Sequence, residues 1–155
     1  MKGCIQLDCE TFSKNILNFL ENAEAEQYNW LITDVECYPN HSQQSILAGE
    51  KYCWISGEKL LAYLRKNDFQ WVWGVFSAFS KEIPLKEILR YSLPYANGYA
   101  GFWKNPISLQ NPLATSEIVS WDGELLLFVS KKDRMVDSAL AANKDVFNLE
   151  AYNET

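Results

Sequence analysis

The chain has 155 residues, 48% of them apolar, with six Trp, eight Tyr and eight Phe. That is enough for one domain, 1–155, with its own core, and it excludes intrinsic disorder. No apolar run approaches the roughly 18 residues of a membrane span, and a formal net charge of −6 argues against nucleic acid, which is met by clustered Lys and Arg.

The charge is uneven. Residues 1–50 carry eight acids against two bases, whereas residues 51–155 carry twelve of each. An acidic excess in the first third makes a basic protein the expected class of partner, with ordinary solubilising charge as the plainer account. The N-terminus, MKGCIQLDCE, lacks the long apolar segment and small-residue cleavage site of a signal peptide, so a cytoplasmic location is expected. Cys4, Cys9, Cys37 and Cys53 form no CxxC pair and read as reduced thiols. As a zinc set, Cys4, Cys9, Cys37 and His41 have spacings that match no zinc-binding pattern, so neither a metal nor a cofactor is expected.

In chain order, residues 2–8 read as a strand with Ile5 and Leu7 on one face. Helical spacing follows over 12–26, where Phe12, Ile16, Phe19, Leu20 and Ala23 form one stripe and Thr11 or Ser13 is placed to cap. Glu21, Glu24 and Glu26 crowd the last turns, where the macrodipole favours cations. This conflict marks them as candidate partner-binding residues. The next strand is 28–38, YNWLITDVECY, with Leu31, Val35 and Cys37 on one side. Asp34 and Glu36 share the other side with Trp30 and Ile32, about 6.5–7 Å apart. Paired carboxylates can serve acid–base chemistry, but two solvated acids at a strand end is the simpler reading, and both are kept as binding candidates.

Residues 39–50 are a polar connection with the only histidine, His41. A Cys37–His41 nucleophile pair would need spatial contact that spacing does not give, so no catalytic residue is assigned. A short strand at 52–55 leads into a helix at 57–67, capped by Ser56, with Leu60, Leu61 and Leu64 inward. The stretch 69–80, FQWVWGVFSAFS, is apolar on both faces: Phe69, Trp71, Trp73, Val75 and Phe79 on one, Val72, Gly74, Phe76 and Ala78 on the other. Such a strand belongs inside a sheet covered on both sides. Pro84 opens a short helix.

Residues 92–113, SLPYANGYAGFWKNPISLQNPL, hold three prolines, an Asn-Gly turn and Tyr95, Tyr99, Phe102 and Trp103. A connection this long is often functional, and its aromatics suit stacking on a ligand. Equally, it can be an Ω-like cover pinned by those aromatics. EIVSW, Asp122-Gly123 and ELLLFVS form a hairpin with a type I′ turn over 115–121 and 124–130. Ser130 to Asp133 reads as a capping box for a helix over 131–142, and the tail beyond Asp145 as a wrapping or fraying end. The expected fold is α+β, one mostly antiparallel sheet of about five to six strands with packed helices.

The runs GVFSAF, LPYANG, GFWKNPISLQNPLA and EIVSWDGELLLFVSKKD resemble a family of small uncharacterised bacterial proteins, chiefly from Gram-positive spore-formers, classed as a domain of unknown function. The resemblance extends over nearly the whole chain. It implies a cytosolic bacterial setting and brings no activity, site or cofactor. GxSxG, HExxH, P-loop and Rossmann fingerprints are missing from the sequence. The expected function is therefore a non-catalytic protein-interaction module, immunity-protein-like by analogy. The alternative is a small-ligand-binding protein or small enzyme using the 92–113 loop as a pocket wall.

Overall fold

A computed structural model describes residues 1–38 and 51–155. The period-two segments become β1 (Lys2–Gln6), β2 (Tyr28–Tyr38), β3 (Tyr52–Ser56), β4 (Gln70–Ser80), β5 (Ser116–Trp121), β6 (Leu125–Ser130) and β7 (Val146–Asn148). The helices are α1 (Ser13–Asn22), α2 (Gly57–Lys66), α3 (Leu85–Ile88), α4 (Asp133–Ala142) and α5 (Leu149–Asn153). Among the described residues the strands make one sheet in the order β3-β2-β4-β5-β6-β1-β7, and every pairing is antiparallel. The fold is α+β. The sheet has seven strands rather than five to six, because the tail beyond Asp145 adds β7 along β1 and then turns into α5.

The apolar stripes of α1, α2 and α4 cover one face. Ile16, Phe19, Leu20, Leu60, Leu64, Met135 and Val136 pack on Trp30, Trp71, Phe76, Ile118 and Phe128. The other face is covered by the 83–113 segment and α5, around Val75, Val119, Leu127 and Val129 and around Leu31 and Phe79. Strand β4 is thus interior and covered on both sides, as its composition requires.

Its alternation is not the simple one. Register runs regularly from Tyr28 opposite Ser80 to Thr33 opposite Val75, then shifts so that Glu36 faces Trp73, and shifts back so that Cys37 faces Trp71. One extra residue on β2 near Asp34 is offset by one on β4 at Val72. Trp71 therefore joins Phe76 on the helix side, while Trp73 stays with Val75 on the other. Strict parity had placed Trp71, Trp73 and Val75 together. A Cβ on Gly74 would lie 3.5 Å from Trp71 and 3.6 Å from Phe76, whose rings meet edge-on at 5.1 Å. On β2 the same shift separates Cys37, on the helix side, from Leu31, on the opposite side.

Other boundaries moved for identifiable reasons. The first strand stops at Gln6, and Asp8 takes a left-handed φ of 49°. The expected 12–26 helix ends at Asn22, with Glu24 left-handed and a 3-10 turn at Ala25–Gln27. Thr11 and Ser13 do not cap it. Thr11 Oγ1 donates to the Trp71 carbonyl, and Ser13 Oγ bonds Asn67 O at 2.9 Å and accepts from Trp71 Nε1 at 3.1 Å. Ser56 does cap α2, accepting from the Lys59 amide at 3.4 Å. The 115–130 hairpin has a three-residue loop, since Trp121 pairs with Leu125, and Asp122 and Gly123 have the positive φ values of a type I′ turn. No capping box forms on α4, which begins at Asp133 without a side-chain cap. Ser130 is instead buried, bonded to Ser116 at 2.8 Å. Among the described residues no helix is long and apolar enough to cross a membrane.

Candidate functional site

The 92–113 segment lies as a strap across the face opposite the three long helices. Its aromatics form a connected chain of rings. Tyr95 meets Tyr99 edge-on at 5.2 Å, Tyr99 meets Phe102 at 4.7 Å, and Phe102 meets Trp121 at 5.9 Å. Trp121 also meets Trp73 at 5.0 Å and Trp103 at 5.1 Å. These edge-to-face contacts add to the area the rings bury. A Cβ at Gly101 would sit 2.5 Å from the Tyr99 ring, so a larger residue there requires that ring to shift. Phe102 is buried and Tyr99 and Trp103 half-buried. The strap therefore serves as the cover read as one option from the sequence, and Phe102 has no surface left for a ligand.

Three polar groups pin it. Asp34, at the β2 register shift and with φ 51°, accepts from the amides of Ala96 at 2.8 Å and Asn97 at 3.0 Å. Gln110 grips Tyr95 at both backbone atoms: the Tyr95 amide donates to Gln110 Oε1 at 3.0 Å, and Gln110 Nε2 donates to Tyr95 O at 2.9 Å. Beneath it, Glu117 is 1% exposed and accepts from the Gln110 amide at 3.2 Å and from Nε2 at 3.5 Å. Burial pushes the Glu117 carboxyl up to about 7 against the pull of Gln110. None of the described ion pairs reaches Glu117. Ser77, its partner across β4 and β5, buries a hydroxyl with no hydrogen-bond partner among the described residues. The Tyr99 phenol is raised by burial, then by Glu117 and Tyr95.

The structure brings Tyr95, Tyr99, Phe102, Trp103 and Asp34 together. Glu36 belongs to the same side of the sheet, since it faces Trp73. This corrects the expectation that the two acids side with Trp30 and Ile32. Glu36 accepts from the Tyr38 hydroxyl at 3.1 Å, and that bond raises the phenol. The acids of α1 stand apart, on the helix layer. Glu24 receives Arg134 through two bonds, at 3.0 and 2.8 Å, and this pairing lowers its carboxyl. Glu21 lies 3.8 Å from Arg65, and Glu26 is exposed. The conflict with the macrodipole is thus relieved by arginines from α4 and α2 rather than by a free acidic patch. Burial pushes Cys4 and Cys37 up to about 12 and Cys9 and Cys53 up to about 11, which removes thiolate character. Among the described residues no group of three or more His, Cys, Asp or Glu could hold a metal. His41 lies outside the described residues.

Sequence reasoning passed over Glu117 and Gln110. A signal for Glu117 was present: in SEIVSW it alternates in phase with Val119 and Trp121, which marks an acid on an apolar face. Gln110 carries no comparable mark, being one amide among the polar residues of a loop.

The chain belongs to the family described as "Protein of unknown function (DUF2691)", whose model matches residues 3–95. The match spans β1 to β4 and ends at Tyr95, short of the whole-chain extent expected from the resemblance. No curated protein and no solved structure matches the chain.

Proposed function

We propose that this member of the family is a non-catalytic protein-binding module whose contact surface is the Tyr95 end of the strap, with Glu36 and Tyr38 of β2 in the same surface, and whose partner presents basic side chains. One observation carries the reading. Tyr95 is gripped at its own amide and carbonyl, and the next two amides are held by Asp34, yet the residue is 47% exposed. A fixed backbone presenting an exposed tyrosine lowers the entropy cost of docking, and tyrosine is favoured at interface centres. Tyr91 and Tyr38 are exposed as well, and Glu36, which forms none of the described salt bridges, supplies the charge for a basic partner.

A photo-crosslinking amino acid placed at Tyr95 in the source cells tests this. One discrete protein adduct is expected, lost in the Glu36→Lys background and at high salt, and absent when the probe replaces Lys144 on the far side. Equal adducts from both positions, or none, would reject the surface.

A second reading, a small-ligand-binding protein or small enzyme with the strap as a pocket wall, draws on a different place. Trp103, Leu125 and Tyr152 border a hollow of about 370 Å³, with the Trp103 and Tyr152 rings 6.1 Å apart. In that case Trp103→Ala, and not Tyr95→Ala, abolishes binding.

A further inference from the structure

On the helix side of the sheet, α1 and α4 do not close against each other along their whole length. Ala139 and Ala142 face the gap from α4 and leave a cleft of about 400 Å³, floored by Phe19 and Val146. That volume falls in the range of small-molecule sites. Its polar wall is made of carboxamides: Gln6 at the end of β1, Asn18 and Asn22 one turn apart on α1, and Asn143 just past α4.

Most of their hydrogen-bonding capacity is unspent. Asn22 uses Nδ2 on the Asn18 carbonyl at 2.7 Å, which leaves Oδ1 to accept. Asn143 uses Oδ1 on the Asp145 amide at 2.8 Å, which leaves Nδ2 to donate. The Gln6 and Asn18 carboxamides make no hydrogen bond among the described residues, so both ends of each remain. Glu21 adds a carboxylate at the mouth, and no cationic side chain lines the cleft.

We propose that this cleft binds a neutral polyhydroxylated small molecule, a mono- or disaccharide. The chemistry of the wall selects it. Each hydroxyl donates one bond and accepts others, and a carboxamide offers a donor and an acceptor side by side, so vicinal hydroxyls match it at both atoms. Glu21, 3.8 Å from Arg65, accepts from a further hydroxyl in a charge-assisted bond, and a wall without a cation leaves a phosphate or carboxylate unpaired. The exposed Ala142 side chain receives the ring's C–H face. The cleft lies across the sheet from Tyr95 and is independent of the surface proposed above.

Saturation-transfer NMR on the intact chain, with D-glucose, D-galactose, N-acetyl-D-glucosamine and maltose at tens of millimolar, tests this. At least one sugar is expected to receive saturation. Asn18→Ala combined with Asn22→Ala should weaken it at least tenfold. Ala142→Trp, an exposed position that fills the mouth, should abolish it with the melting temperature unchanged, so that loss of binding is not loss of fold. Glucose 6-phosphate should bind at least tenfold more weakly than glucose. Silence from all four sugars, binding that survives both variants, equal binding of the phosphate, or binding of N-methylacetamide in place of any sugar would each overturn the proposal.

Discussion

Glu117→Gln should make the protein more stable at alkaline pH and barely change it at acid pH. In the folded chain the carboxyl sits under Gln110 with its titration pushed up from 4.5 to about 7. In the unfolded chain it titrates near the ordinary value. Between those two values the native state keeps a proton that the unfolded state has released, so stability falls as pH rises through the window and levels off above it. At about 1.36 kcal/mol per pH unit, the full loss is roughly 3 kcal/mol. Glutamine keeps an oxygen for the Gln110 amide and removes the charge. The free-energy difference between variant and parent should therefore grow by roughly 3 kcal/mol from acid to alkaline pH. Urea titrations at four pH values spanning the window measure it, and the remaining carboxylates, common to both proteins, cancel. Two parallel stability curves would show that Glu117 does not titrate from within the core, and the reasoning would fail.

Removing the Asp34 carboxylate with Asp34→Ala leaves the Ala96 and Asn97 amides without their acceptor. It should cost about 1–3 kcal/mol and raise hydrogen exchange at those two amides specifically. Gly57→Ala places a Cβ 1.7 Å from the Ala25 carbonyl oxygen. Because that obstacle is backbone, a loss above about 3 kcal/mol in urea unfolding is expected. Changing Glu21, Glu24 and Glu26 together to Gln breaks only exposed pairs. The melting temperature should shift by no more than a few degrees, and the Tyr95 crosslink should persist. Native protein should alkylate slowly at mildly alkaline pH, because burial holds the Cys4 and Cys9 thiols protonated, and denaturation should speed the reaction many-fold.

What the sequence makes legible is whatever depends on local pattern. Helix α2 follows from its leucine stripe and Ser56, and the 115–130 hairpin from alternation around Asp122-Gly123. What it hides depends on contacts distant in the chain. Nothing near Val146 marks β7, because three residues become a strand only when the edge of β1 is there to pair with them. Glu24 ends the helical stretch early, and its left-handed backbone directs a carboxylate toward Arg134, 110 positions away.

The two register shifts show most clearly how fold and candidate site depend on each other. Parity along β4 gives the wrong side for Trp71, because parity assumes an unbroken ladder. The shift at Val72 leaves backbone groups that need other partners, and they find them. Val72 O accepts from the Gly123 amide at 2.9 Å and the Trp71 amide donates to Thr11 O at 2.8 Å, while Trp71 O accepts from Ser120 Oγ at 2.8 Å. With Trp71 turned to the helix side, Trp73 is left to meet Trp121 beneath the strap. The opposite shift, on β2 between Thr33 and Glu36, puts Asp34 in the conformation that reaches Ala96 and Asn97. One irregularity thus provides the aromatic bed of the strap and the other its anchor, and the exposure of Tyr95 depends on both. Repairing either alone, for example by deleting Val72, would throw the rest of β4 out of phase with β2 and turn its apolar side chains to the wrong faces.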